Sequence, residues 1–141
     1  MLLARTVLVI AERFAPRLGA APTAAAIARG IGAAAPAYEI APVALEGDSD
    51  PQLRAYLDPQ FLRAARAVVL ASGELLGDAP PSGPTFELAT TARQTGVPSY
   101  AVTGVSAPDL FSARLLDIQV ALCARGERAL VRAGEELGGA I

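Results

Sequence analysis

The chain has 141 residues, a net charge of −2 and a composition that is 52% hydrophobic, enough to build the buried core of one domain. Its twelve positive charges are all arginines scattered along the sequence, so no basic stripe indicates a nucleic-acid partner. Histidine and lysine are absent, which excludes a histidine-based triad or metal site, a Schiff-base lysine and a Walker-type phosphate loop.

Apolar runs and helical patterns alternate along the chain. Five mainly apolar runs predict strands at residues 6–10, 38–43, 67–71, 98–102 and 117–122. Helices are predicted at 24–35, around 53–57, directly after Asp58-Pro59, and at 85–95, 109–115 and 125–137. This order predicts a three-layer α/β/α sandwich with a mainly parallel five-stranded sheet, Rossmann- or flavodoxin-like, in a single domain of residues 1–141.

Proline, glycine and capping residues indicate where several elements begin or end. Thr23 is predicted to cap the N-terminus of the first helix, and Asp58-Pro59 is typical of a helix start. Gly96 is expected to end the fourth helix. Pro42 favours an edge position for the second strand, because proline cannot donate a hydrogen bond to a neighbouring strand.

The single cysteine and the short apolar runs indicate a cytoplasmic protein. Cys123 cannot form an intramolecular disulfide, as expected in a reducing compartment, and we interpret it as a small hydrophobic residue rather than a nucleophile. No apolar run approaches the roughly 20 residues of a membrane span, and the apolar start lacks the basic stretch of a signal peptide. We therefore expect no membrane partner.

Polar side chains follow three of the predicted strands. Because ligands of open α/β sheets bind at the carboxyl ends of the strands, we expect a site at these positions. If the first and third strands are neighbours, their two loops meet at one edge of the sheet. The candidate residues are Glu12, Arg13 and Arg17 after the first strand, Ser72, Gly73, Glu74 and Asp78 at and after the third, and Thr103 at the end of the fourth.

The residue types suggest a division of roles among these candidates. Glu74, Asp78 and Glu12 are the catalytic candidates, because loop carboxylates act as general acids or bases or bind a divalent cation. No set of metal ligands is assigned. The alternative, which stays open, is that the candidates are solvated loop acids and ordinary surface charges. The candidates for binding a small-molecule substrate, through charge or hydrogen bonds, are Arg13, Arg17, Ser72, Gly73 and Thr103.

Several stretches of the sequence follow the order of motifs in a known enzyme family. SGELLGD at 72–78 is similar to the TGEGRLD signature of type 1 glycerate kinases, with glycine, glutamate and aspartate in register. Ser82-Gly83-Pro84 is similar to the later Gly-Lys step of that family, with proline in place of lysine. TVLVIAERF at 6–14 resembles the opening strand and the IAPDSFKGS loop, and the resemblance extends over nearly the whole chain.

In these kinases a second α/β domain interrupts the Rossmann-like domain, and the substrate cleft lies between the two. Here residues 44–65 would take the place of the inserted domain, and Leu45 stands where the family has an aspartate. The resemblance therefore implies a degenerate, stand-alone first domain that binds a small metabolite at the carboxyl ends of its strands, with glycerate phosphorylation not expected. ATP and Mg²⁺ would be its cofactors only if phosphoryl transfer survives.

Two other functions stay open. One is a repurposed small-molecule enzyme that uses Glu74 or Glu12 as an acid or base catalyst, in an apolar pocket lined by Phe14, Leu75 and Leu76. The other is a non-enzymatic interaction module, suggested by the alanine-rich, aromatic-poor helices, with a homodimer as its simplest form. Neither nucleic acid nor a membrane is expected as a partner in any of these cases.

Overall fold

The computed structural model describes residues 4–47, 49–78 and 83–141. Ser82, which belongs to the motif similar to the Gly-Lys step, lies outside the described residues. The described residues form five strands and six helices in the predicted order. Every predicted strand end lies within one residue of the observed end. The elements are β1 Thr6–Ala11, α1 Ala20–Ala34, β2 Glu39–Ala44, α2 Pro51–Tyr56, α3 Pro59–Arg63, β3 Ala67–Ser72, α4 Pro84–Thr95, β4 Ser99–Thr103, α5 Leu110–Leu115, β5 Ile118–Cys123 and α6 Glu127–Ala140.

The strands form one parallel sheet in the order β2-β1-β3-β4-β5. The chain leaves β1 toward one edge to form β2, then returns past β1 to build β3, β4 and β5 on the other side. This is the flavodoxin-like strand order. It confirms the predicted α/β fold with a five-stranded parallel sheet.

The three central strands are buried on both faces. β1 and β4 are buried along their whole length, and β3 is buried up to Ala71. This explains why these strand sequences are apolar without alternation. β2 and β5 are the edge strands, and Pro42 is exposed in β2, where it is paired with Val9 of β1. The predicted edge position of Pro42 is confirmed.

Helices cover both faces of the sheet and create two apolar cores. α1 and α6 pack on one face, where Ile27 and Leu130 are fully buried. The other four helices cover the opposite face, where Leu62 of α3 and Leu88 of α4 are fully buried. The result is the predicted three-layer arrangement. Within the described part of the chain, no helix combines the length and the apolar composition that crossing a membrane requires.

α1 and α6 are in direct backbone contact, which glycine makes possible. A Cβ atom on Gly30 of α1 would overlap the carbonyl oxygen of Val131, and one on Gly134 of α6 would overlap the carbonyl oxygen of Ile27. Neither position can therefore carry a larger residue unless the two helices move apart.

The first helix begins earlier than predicted. α1 starts at Ala20 with Gly19 as its N-cap, and the hydroxyl of Thr23 donates a hydrogen bond to the carbonyl oxygen of Gly19 (2.8 Å) from inside the helix. The predicted capping role of Thr23 is therefore wrong. Pro22 is compatible with this start because the backbone N–H groups of a first turn have no acceptor within the helix.

The predicted start of α3 and the predicted end of α4 are confirmed. Asp58 caps α3 by accepting a hydrogen bond from the backbone N–H of Gln60 (3.0 Å), and Pro59 occupies the first turn. Gly96 ends α4 in the left-handed conformation, with φ at 76°, which glycine adopts at little cost.

Candidate functional site

The loops after β1 and β3 meet, as predicted, because these two strands are neighbours. The backbone N–H of Gly73 donates to the carbonyl oxygen of Arg13 (3.4 Å), and a Cβ atom on Gly73 would overlap the carbonyl oxygen of Phe14. The two loops therefore pack backbone to backbone. In flavodoxin-like sheets ligands bind at this position, and here the two loops are in direct backbone contact at Gly73 and Phe14.

Glu12 is in contact with a helix that is distant in sequence. Its carboxylate oxygen Oε2 accepts a hydrogen bond from the backbone N–H of Thr85 (3.1 Å), in the first turn of α4. The N-cap of α4 is Gly83, which has no side chain to provide this acceptor. Glu12 thus caps α4 from the first loop. Its catalytic assignment stays a prediction.

The other two catalytic candidates lie in the exposed part of the β3–α4 loop. Both Glu74 and Asp78 are exposed, and within the described residues neither carboxylate forms a hydrogen bond or an ion pair. Leu76 adopts a positive φ of 62°, and its carbonyl oxygen accepts a hydrogen bond from the N–H of Asp109 (2.8 Å). No group of three acidic or cysteine side chains in the described residues is placed to hold a metal ion. The roles of Glu74 and Asp78 stay predictions.

The apolar pocket expected around Phe14, Leu75 and Leu76 is not formed. Phe14 is buried in the core beneath α1 and α6, whereas Leu75 and Leu76 are buried in the core on the opposite face of the sheet. The prediction of a pocket lined by all three side chains is wrong, because the sheet separates them.

Ser72 and Thr103 lie side by side at the ends of β3 and β4. Thr103 is fully buried, and its hydroxyl accepts a hydrogen bond from the backbone N–H of Val105 (3.1 Å), which fixes the exit of β4. Ser72 is only partly buried. Of this pair, Ser72 is the more accessible to a ligand.

An open cleft of about 300 Å³ lies one strand away from the expected position, at the carboxyl ends of β1 and β2. One wall is the start of α1, and the other is the turn that follows β2. Two of the predicted site residues line it. The full lining is Glu12, Arg13, Gly19, Ala20, Ala21, Pro22, Leu45, Glu46 and Gly47.

The α1 side of this cleft carries positive potential. Arg13 is exposed and forms no ion pair or hydrogen bond through its side chain with any described residue. The backbone N–H groups of Ala20 and Ala21 have no acceptor in the described part of the chain, and the first turn of α1 contains no acidic residue. The partial positive charge of the helix N-terminus therefore faces the cleft. Arg17, also exposed, is outside the lining.

The opposite wall is held by Asp50. Its carboxylate accepts hydrogen bonds from the backbone N–H groups of Glu46 and Gln52, each 2.9 Å long, and these bonds lower the pKa of Asp50. Asp50 also caps α2. The turn after β2 is thereby fixed against α2, with the exposed side chain of Glu46 at the cleft.

Sequence reasoning missed most of the cleft lining. Residues 46 and 47 fall between the predicted elements, and the predicted first helix begins at residue 24, four residues after the observed start. The available signal was Ala20-Ala21-Pro22, since alanines followed by a proline are compatible with a first helical turn.

Comparison with known proteins adds little. No family model matches the chain, and no curated protein matches it. Among solved structures, a candidate sugar-binding protein from Salmonella typhimurium LT2 is similar over 94% of this chain, with 14% sequence identity and a TM-score of 0.49. The match spans 35% of the length of that protein. The resemblance to type 1 glycerate kinases stays a prediction.

Proposed function

We propose that this protein binds a small hydroxylated organic anion in the cleft at the carboxyl ends of β1 and β2. The observation that carries the proposal is the guanidinium of Arg13, which has no ion pair or hydrogen bond among the described residues and lines a cleft of about 300 Å³ beside the N-terminus of α1. The cleft lies at the carboxyl ends of parallel strands, the edge at which open α/β sheets bind ligands, and its volume is at the lower end of the range of small-ligand pockets.

The charges around the cleft support an anion with a single negative group. Arg13 can bind a carboxylate or phosphate through two parallel hydrogen bonds, and the N–H groups of Ala20 and Ala21 provide further donors. Glu12 and Glu46 on the same lining would repel a second negative group but accept hydrogen bonds from hydroxyls. This combination favours a hydroxy acid over a polyphosphate.

The proposal is for binding rather than phosphoryl transfer. Phosphoryl transfer from ATP needs metal ions and cations that stabilise the moving group. The sequence contains no lysine, and the described residues include no cluster of three acidic groups for a metal. These residues do not fit an ATP–Mg²⁺ site, so we propose that the protein binds its ligand without phosphorylating it.

Isothermal titration with glycerate and gluconate tests the proposal. We expect the wild-type protein to bind at least one of these acids, and Arg13→Gln to weaken that binding by about tenfold or more, because a charge-assisted pair is lost. Arg17→Gln is the matched control, since Arg17 lies in the same loop but outside the cleft lining. It should leave the affinity within about twofold of the wild type.

Three results would contradict the proposal. The first is no binding of either acid at millimolar concentration. The second is equal loss of affinity in Arg13→Gln and Arg17→Gln, which would move the site out of the cleft. The third is transfer of phosphate from ATP to glycerate, which would show that the protein is a kinase.

A further inference from the structure

Glu12 contacts two different parts of the molecule at the carboxyl end of β1. It lines the cleft beside α1, and its carboxylate oxygen Oε2 accepts a hydrogen bond from the backbone N–H of Thr85 at the start of α4 (3.1 Å). Thr85 itself lies outside the cleft lining. Because α1 and α4 cover opposite faces of the sheet, one carboxylate connects the cleft to a helix on the other face.

Glu12 is fixed from two sides. Its backbone N–H donates to the carbonyl oxygen of Ala71 in β3 (2.9 Å), which continues the pairing of β1 with β3. Its side chain is held by the N–H of Thr85, a buried residue with little access to water as an alternative acceptor. The partial positive charge at the N-terminus of α4 also favours a carboxylate at this position. We therefore expect the negative charge of Glu12 to stay at the cleft.

Glu46, the other acidic residue on the lining, is held differently. Its backbone N–H donates to the carboxylate of Asp50 (2.9 Å), but its exposed side chain forms no hydrogen bond or ion pair with any residue that the structure describes. An exposed glutamate side chain can rotate into solvent, where salt screens its charge. The charge of Glu46 is therefore free to move away from a bound ligand.

Part of the Glu12 carboxylate is available to a ligand. Thr85 occupies oxygen Oε2, whereas oxygen Oε1 has no hydrogen-bond partner within the described part of the chain. Arg13 and Glu12, both described, line the same cleft without forming an ion pair with each other. An ionised carboxylate accepts hydrogen bonds and donates none, so Oε1 can bind a ligand hydroxyl but repels a ligand carboxylate.

We infer that Glu12 is the specificity residue that limits the ligand of this cleft to one negative charge, by accepting a hydroxyl where a diacid would place its second carboxylate. The inference rests on the proposed function, the binding of a hydroxy acid beside Arg13. Arg13 follows Glu12 directly in the chain, so the far end of a small acid bound by Arg13 is expected close to Glu12. Repulsion between two carboxylates at such a distance lowers affinity by roughly tenfold or more.

Glycerate and tartronate are matched probes of this selection, because tartronate has a second carboxylate where glycerate has a hydroxymethyl group. Isothermal titration with both acids gives the ratio of their affinities, and we expect the wild type to favour glycerate by about tenfold or more. Gluconate and its diacid glucarate form a second matched pair.

Glu12→Gln should lower this ratio by about tenfold or more. The amide oxygen of the glutamine can keep the hydrogen bond from Thr85, and its NH₂ group then replaces a repelling oxygen with a donor for the second carboxylate. Glu12→Ala, which also removes the charge, is the second variant and should lower the ratio as well. Urea unfolding shows that each variant used in the titrations is folded.

Two further variants separate Glu12 from a general effect of charge. Glu87→Gln removes a negative charge from the first turn of α4, outside the cleft lining, and should leave the ratio within about twofold of the wild type. Glu46→Gln should change the ratio by less than about threefold, because that side chain is not held. A change in Glu46→Gln as large as that in Glu12→Gln would overturn the assignment to Glu12.

The remaining outcomes distinguish this inference from the proposed function. If the wild type binds the monoacids and both Glu12 variants keep its ratio, the inference is overturned and the proposed ligand cleft stands. A wild type that prefers the diacids would likewise overturn the inference. If the wild type binds none of the four acids at millimolar concentration, the proposed function and the inference both fail.

Discussion

At the scale of single residues, the two loops that carry the predicted catalytic acids differ in what those acids do. The carboxylate of Glu12 accepts the Thr85 N–H at the start of α4 (3.1 Å), whereas Glu74 is exposed and has no partner among the described residues. Both are glutamates that follow a buried parallel strand, so the sequence pattern alone could not distinguish them. The difference arises from packing between residues 73 positions apart.

This difference predicts unequal costs of substitution. Glu12→Ala should lower the free energy of unfolding by about 1–2 kcal/mol, because the N–H of the buried Thr85 loses its acceptor. Glu74→Ala, the matched control, should change it by less than about 0.5 kcal/mol. Urea unfolding followed by circular dichroism measures both. Equal effects of the two substitutions would show that Glu12 does not hold α4.

At the scale of secondary structure elements, the fold was largely predictable, and the reason is physical. The strands are buried in a parallel sheet, so their apolar runs have no alternation and stand out from the helical patterns. Pro42 and Gly96 mark an edge strand and a helix end through properties that belong to proline and glycine themselves. The start of α1 was missed because Gly19 caps it without a side-chain hydrogen bond, so no polar residue marks the position.

Two glycines in α1 give a matched test of how α1 packs on α6. Gly30→Ala should destabilise the protein by about 2–3 kcal/mol, because its Cβ would overlap the backbone of α6. Gly32→Ala should instead stabilise it by roughly 0.5–1 kcal/mol, since a Cβ there meets no atom within 4 Å and alanine favours the helix. Thermal unfolding measures the opposite signs. Stabilisation by Gly30→Ala would contradict the close contact between the helices.

At the scale of the whole molecule, the packing of the loops at the carboxyl ends of the strands decides where a ligand has room. The sequence correctly predicts that the loops after β1 and β3 are neighbours, but it could not show that Gly73 packs directly on the backbone of Phe14. An open cleft lies between α1 and the turn after β2. Its location depends on loop packing, which local sequence patterns do not encode.

The most direct measurement of the central claim is a titration of the ¹⁵N-labelled protein with glycerate and gluconate, followed by amide chemical shifts. We expect the largest shifts at Ala20, Ala21 and Gly47, which line the cleft, and their loss in Arg13→Gln. Shifts confined to the loop that contains Glu74 and Asp78, or no shifts with either acid at millimolar concentration, would contradict the assignment of the cleft as the binding site.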